Sequence, residues 1–382
     1  MRGRDQRVPS FYEFFAGGGM ARAGLGERWE CLFANDIDAK KGASYAANWG
    51  DERLRTGNVE ALMPAELPGC ADLAWASFPC QDLSLAGAQA GLNGGRSGTF
   101  WPFWRLVEAL VKEGRPPALI VLENVCGALT SHGGRDFAAI GAALTGVGYR
   151  FGALIVDAAL FVPQSRPRLF IVAVDRYRAI PVGLVLQQPH WLWHPATLTG
   201  TYDRLPGREK DAWVWWTLPV PPPRRSTFAD LIEDDPQSVT WHTEAETQRL
   251  LEMMSPINRQ KVEQAKGAGR RVIGGAYRRT RRDNNGRSRQ RAEIRFDDLA
   301  GCLRTPAGGS SRQSIMVIEG DQVRSRLLSA REAARLMGLP DSYKLPANYN
   351  EAYHLAGDGI VVPAVRYLAA HLLEPLLAGA PA

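Results

Sequence analysis

At 382 residues the chain is long enough for one large core and a second, smaller domain. Its formal charge of +6 is too small an excess to name a partner by itself. No run of eighteen apolar residues is present, MRGRDQRVPS has no apolar signal core, and five widely spaced cysteines include no CxxC pair. The expectation is therefore a soluble, cytoplasmic protein with no membrane segment, no disulfide framework and no metal site.

Through the first 175 residues, apolar runs of strand length alternate with stretches of helical period. That pattern predicts an α/β fold with a doubly wound, mostly parallel sheet. Strands are expected near 11–15, 31–35, 54–59, 71–77, 118–124, 153–158 and 168–174. In such a sheet, ligands bind beyond the carboxyl ends of the strands, where the strand order reverses. The chemically distinctive residues fall at those ends in turn. Gly17, Gly18 and Gly19 follow the first strand, Asp36 the second, Asn58 the third and Cys80 the fourth, and Glu123 closes the fifth.

The glycines let backbone approach a ligand closely, and Asp36 comes nineteen residues after Gly17, where an acid accepts hydrogen bonds from ribose hydroxyls. An adenosine-type cofactor follows. Cys80, in FPCQDLS after ADLAWAS, stands at the rim of the sheet as a candidate nucleophile, although a lone cysteine is as often structural. Glu123 ends ALIVLEN, where partial burial raises proton affinity and suits an acid near neutrality; a capping or ion-paired glutamate is the plainer reading. Arg166 and Arg168 of QSRPR alternate along an extended segment, on one face, able to orient Glu123 and bind a carbonyl.

From about Pro181 the text turns Pro-rich and Trp-rich, which sets an expected domain boundary near 180. Clustered tryptophans stack on bases or pack a small irregular core, and the core reading is preferred. Between Lys266 and Arg295 eleven Lys or Arg stand against two acids, so one stretch carries the basic character. It predicts a polyanion contact, with a solvated charge run as the alternative, and its glycines and asparagines favour a loop over a helix. Helical text returns at Ser329 with a capping box opening AREAARLM, and an amphipathic helix in VVPAVRYLAAHLLEPLLAG predicts that the C-terminus rejoins the first domain.

These residues together resemble the carbon-5 cytosine DNA methyltransferases, block by block and in the family's order: FAGGG, NDID, FPCQDLS, ENV, QSRPR, LSAREAARLMGLPD and GDGIVVP. The resemblance implies a Rossmann-like catalytic domain of residues 1–180 and 327–382 and a target-recognition domain of 181–326. It implies S-adenosyl-L-methionine as cofactor, with S-adenosyl-L-homocysteine as product. Phe15, Ala16, Gly17, Gly18, Gly19, Asp36, Ile37, Asn58, Val59, Pro79, Asp358, Gly359 and Ile360 would hold it. Met20, Asn58 and Asp358-Gly359 depart from the family's usual residues.

By the same resemblance Cys80 is the nucleophile, Glu123 the proton donor to ring nitrogen 3, Arg168 the holder of the ring carbonyl and Arg166 that of the glutamate. The Gly-rich stretch after Cys80 would close over a flipped base. DNA contacts are expected from Gln81, Ser84, Arg96, Ser97, Gln164, Arg278, Arg279, Arg281, Arg282, Arg287 and Arg289. The expected partner is double-stranded DNA, met by a monomer in a bacterial or phage nucleoid, beside a cognate restriction endonuclease or as an orphan mark. A tRNA cytosine methyltransferase and a non-catalytic DNA-binding pseudoenzyme are the alternatives.

Overall fold

The sheet has seven strands, with apolar runs in its interior: β1 (Ser10–Phe14), β2 (Glu30–Asp36), β3 (Leu54–Thr56), β4 (Leu73–Ala76), β5 (Leu119–Val125), β6 (Tyr149–Asp157) and β7 (Pro167–Asp175). The structure is a computed structural model that describes residues 7–79, 99–282, 287–305 and 312–379. Strand order is β3-β2-β1-β4-β5-β7-β6; β1 to β5 run parallel, and β7 lies antiparallel between β5 and β6. The order reverses between β1 and β4, which makes that edge the natural ligand crevice. The third strand is shorter than expected because Asn58 leaves it to cap the turn Val59–Ala61, its Oδ1 accepting the Glu60 N–H at 3.0 Å.

Every residue of β1 and β4 is buried, as strands covered on both faces must be. The connecting helices are α1 (Met20–Leu25), α2 (Ala39–Trp49), α3 (Phe100–Lys112) and α4 (Arg135–Gly146). Phe103 of α3 meets Phe14 edge-on at 4.9 Å, and Phe100 packs on Phe78 at 5.6 Å. Burying each such ring contributes about 2 kcal/mol.

The chain forms two compact units, one of Met1–Asp157, Pro167–Val220 and Val362–Ala382, the other of Ala158–Arg166 and Pro221–Val361. These lie elsewhere than the boundaries expected from composition. The Trp-rich stretch to 220 belongs with the parallel sheet, where β8 (Val185–Leu186) pairs with β9 (Trp215–Trp216). Trp193 and Trp216 are fully buried, their indole N–H groups donating to Leu218 and Val172 carbonyls. At the C-terminus Leu368, Leu372, Leu373 and Leu376 are buried, and a Cβ on Gly24 of α1 would stand 2.3 Å from Val365. The terminal segment from Val362 belongs to the first unit, whereas residues 327–361 belong to the second.

The second unit holds an antiparallel sheet of β10 (Val272–Arg282), β11 (Ser288–Arg295), β12 (Ser314–Glu319) and β13 (Gln322–Leu327), ordered β11-β10-β12-β13. The basic stretch, expected as a loop, therefore supplies two paired strands. Its glycines mislead because they serve close packing: a Cβ on Gly274 would stand 2.5 Å from the Phe296 ring. Period-2 alternation sends Ala276, Ala292 and Ile294 into a core with Leu250, Met254, Val262 and Met316. The helix Ala330–Leu336 begins at the predicted capping box, and Glu332 also forms a fully buried ion pair with Arg326 at 2.6 Å.

Candidate active site

The chain leaves β1 through a turn that few side chains tolerate: Phe15, Gly17 and Gly19 have φ of 57°, 55° and 76°. Asp36, the last residue of β2, holds this turn. Its Oδ2 accepts the Gly17 N–H and its Oδ1 the Asp38 N–H, both at 2.8 Å, while Ala16 N–H donates to the Asn35 carbonyl. Burial raises the Asp36 pKa, against the pull of the Asp38 N–H, Lys41 and the Gly17 N–H. A carboxylate offers about four lone-pair sites. Two are thus left for a ligand's hydroxyl pair. Beside it Ile37 is 67 % exposed, an apolar surface at the crevice, and nothing lies within 4 Å of where a Gly17 Cβ would stand. Val59 is buried in the sheet's core, and Pro79 is half-buried.

Beyond β4, Cys80, Gln81, Ser84, Arg96 and Ser97 lie outside the described residues. The chain after β4 is held at Phe78 by Asn124, 4 % exposed, whose Nδ2 donates to the Phe78 carbonyl at 3.3 Å and whose Oδ1 accepts the Val125 N–H. Sequence reasoning gave Asn124 no role, although it stands inside ENV. Glu123 is 8 % exposed at the carboxyl end of β5, and Arg168 Nε lies 3.4 Å from its Oε1. The antiparallel register pairs Val125 with Arg168 and Glu123 with Phe170, so both charged residues share one face. Arg168 thereby makes the contact to Glu123 that the sequence reading gave to Arg166.

Arg166 is 1 % exposed and belongs to the other unit. Its guanidinium donates to the carbonyls of Leu303, Gly357 and Gly359, each at 2.8 Å. It pins the turn carrying Asp358, where a Cβ on Gly357 would stand 2.7 Å from Arg304 backbone. Asp358 is exposed, 3.7 Å from His354 Nδ1, and Ile360 is buried. Gln164, expected at DNA, is instead fully buried, its amide engaged by the Leu336 carbonyl and the Leu303 N–H.

Comparison with known proteins decides the family: the profile of the C-5 cytosine-specific DNA methylases matches residues 10–374. The chain belongs to this family. It is 25 % identical over 370 residues to the type II methyltransferase M1.ScrFI of Lactococcus lactis subsp. cremoris, covering 95 % of this chain and 78 % of that one. To M.HpaII of Haemophilus parainfluenzae it is 26 % identical, covering 96 % and 90 %. The fold matches a crystal structure of the S. pombe Dnmt2 methyltransferase with a TM-score of 0.61 at 18 % identity, over 96 % of this chain and 99 % of that one. The enzyme is a DNA (cytosine-5-)-methyltransferase, and its family uses S-adenosylmethionine.

Two of the methylase's departures have local explanations. Met20 opens α1 and is 2 % exposed, and its φ lies outside the left-handed region, so that position does not require glycine. Asn58 caps its own turn and donates to Glu60, with its oxygen able to accept a second bond. On the hairpin, Arg279, Arg282, Arg287, Arg289 and Arg291 are exposed and Arg278 is half-buried. Arg279 faces Arg291 across the ladder, and the register pairs Arg281 with Arg289. Like charges directly opposite destabilise a ladder. Glu293, 3.7 Å from Arg279, offsets little of it, since exposed pairs contribute under about 1 kcal/mol.

Proposed function

We propose that the enzyme methylates carbon 5 of a cytosine turned out of duplex DNA at a short specific sequence, through a transient bond to Cys80. The Glu123–Arg168 pair at the end of β5 supports this reading, because a carboxyl and a guanidinium 3.4 Å apart match the adjacent nitrogen and carbonyl of a flat ring. The turn after β1 suits S-adenosylmethionine: Asp36 has lone pairs for two ribose hydroxyls, Ile37 an apolar face for adenine, and Gly17 open space. Phe15, Ala16, Gly18, Gly19, Pro79 and the backbone of Val59 complete that cradle. When bound, the cofactor supplies a methyl group on a sulfonium.

Carbon 5 of cytosine is too weakly nucleophilic to take that methyl unaided. The Cys80 thiolate forms a bond to carbon 6, the ring's double-bond pair shifts toward carbon 5, and Glu123 delivers a proton to nitrogen 3. Arg168 holds Glu123 and the ring carbonyl together. After carbon 5 takes the methyl, it loses its proton to a base, the carbon 5–carbon 6 double bond re-forms, the sulfur leaves carbon 6 as thiolate, and nitrogen 3 returns its proton to Glu123.

The exposed arginines of β10 and β11 would neutralise DNA phosphates, as a monomer binding its site. Replacing Arg279 and Arg291 with alanine should lower DNA affinity and flatten the plot of log affinity against log salt by about two charges. Filter binding across salt concentrations measures this, and an unchanged slope would assign the arginines to solvent. The type II relatives favour a restriction-modification or orphan marking role in a bacterial cytoplasm. Bisulfite sequencing of DNA from cells expressing the chain should show one protected cytosine in a fixed context. Protected tRNA with unprotected DNA would overturn the reading.

A further inference from the structure

Glu13 is the last residue but one of β1 and is 1 % exposed. Alternation sends Tyr12 and Phe14 to the α3 face and Glu13 to the opposite one. Burying a carboxyl costs free energy that burying an apolar residue would not, unless it is hydrogen-bonded, paired or neutralised. Its Oε1 accepts the backbone N–H of Arg22, in the first turn of α1, at 3.2 Å. That donor would ordinarily be met by a Ser or Asp side chain just before the helix. Here the position is Gly19, with φ of 76° and a Cβ site 2.4 Å from Trp49 Nε1, so no side chain fits. The acceptor comes from the strand beneath instead.

The contacts continue back to the turn. The Arg22 guanidinium donates to the Tyr45 hydroxyl at 3.0 Å and lies 5.2 Å from the Trp49 ring, whose Nε1 donates to the Gly18 carbonyl at 3.2 Å. A series of contacts thus runs from Glu13 through Arg22 and Trp49 to Gly18. Glu13 Oε2 is buried with no hydrogen-bond partner.

We propose that Glu13 is a positioning residue for the cofactor: it fixes the glycine turn from below through Arg22, and ionisation of its carboxyl tightens that hold. This rests on the reading of the turn as the S-adenosylmethionine cradle. An ionised acceptor makes a stronger bond to an N–H than a neutral one. Burial pushes the Glu13 carboxyl up to about 8, opposed by the Arg22 N–H, the Arg22 guanidinium and Tyr45, and assisted by Asp36. Cys31 faces it from β2, itself pushed up to about 11 by burial. Ionisation therefore falls within the working range of pH. The sign for stability is opposite: the native state keeps this proton between 4.5 and about 8 while the unfolded chain loses it, so stability falls as pH rises across that interval.

The test is calorimetric titration of the full chain, free of DNA, with S-adenosylmethionine and S-adenosylhomocysteine from about pH 6 to about pH 9, alongside thermal melting. Wild type should bind severalfold more tightly above about pH 8 while melting lower. Glu13→Gln keeps an acceptor oxygen but no titrating group, so it should bind near the wild-type level at low pH and lose both pH dependences. Glu13→Ala should weaken binding about tenfold. If the alanine variant does not fold, the glutamine variant's profile decides. Wild-type binding that is flat with pH, or a glutamine variant that keeps the wild-type profile, overturns the proposal alone. Wild type that binds neither ligand overturns the cradle reading, and the proposal with it.

Discussion

Cys80→Ala should reduce methyl transfer by at least about 10⁴-fold, the scale on which removal of a covalent nucleophile acts. Affinity for S-adenosylmethionine should stay within about twofold, because an alanine removes one sulfur and leaves the turn after β1 untouched. The expected loss is large because the proposed bond to carbon 6 is what turns the ring electron-rich. Incorporation of labelled methyl into duplex DNA measures the first expectation. A duplex carrying 5-fluorocytosine at the target supplies a second readout. Fluorine cannot leave as a proton does, so wild type should remain covalently joined to DNA under denaturing electrophoresis and the alanine variant should not. Turnover by Cys80→Ala would remove the nucleophile from the mechanism, and an uncoupled wild type would remove the adduct.

The strands were legible because residues such as Leu119 to Leu122 leave no alternative to burial on both faces. What sequence did not reveal depends on register and close approach. Arg166 and Arg168 look equivalent as letters two apart. Only the antiparallel entry of β7 beside β5 gives the second to Glu123, while the first meets three main-chain carbonyls. Gln164 looks like a surface amide, yet its two hydrogen-bonding ends are matched by backbone from far along the chain. The basic stretch looked unstructured because Gly274 and Gly275 dilute its alternation, and the reason for Gly274 is the ring of Phe296. Glu13 passed unnoticed inside SFYEF because its partner is a backbone N–H, which no letter records.

Glu123→Gln should lower kcat by about 10² to 10⁴-fold, the usual contribution of a positioned proton donor, with little change in the KM for DNA. Glutamine keeps the shape and one acceptor for Arg168 but carries no transferable acid proton, so nitrogen 3 must be protonated from solvent. The loss should appear before methyl transfer: the rate of trapping on 5-fluorocytosine DNA should fall in parallel with kcat. Arg168→Ala should also lower kcat, because Glu123 loses the guanidinium 3.4 Å from its Oε1 and the ring loses its carbonyl partner. Since one residue orients the other, the double variant should be less than about tenfold worse than the poorer single one. Fully multiplicative effects would mean that the two side chains act on separate steps. A Glu123→Gln enzyme with wild-type trapping and impaired turnover would move the glutamate to proton removal at carbon 5, after the methyl has been transferred.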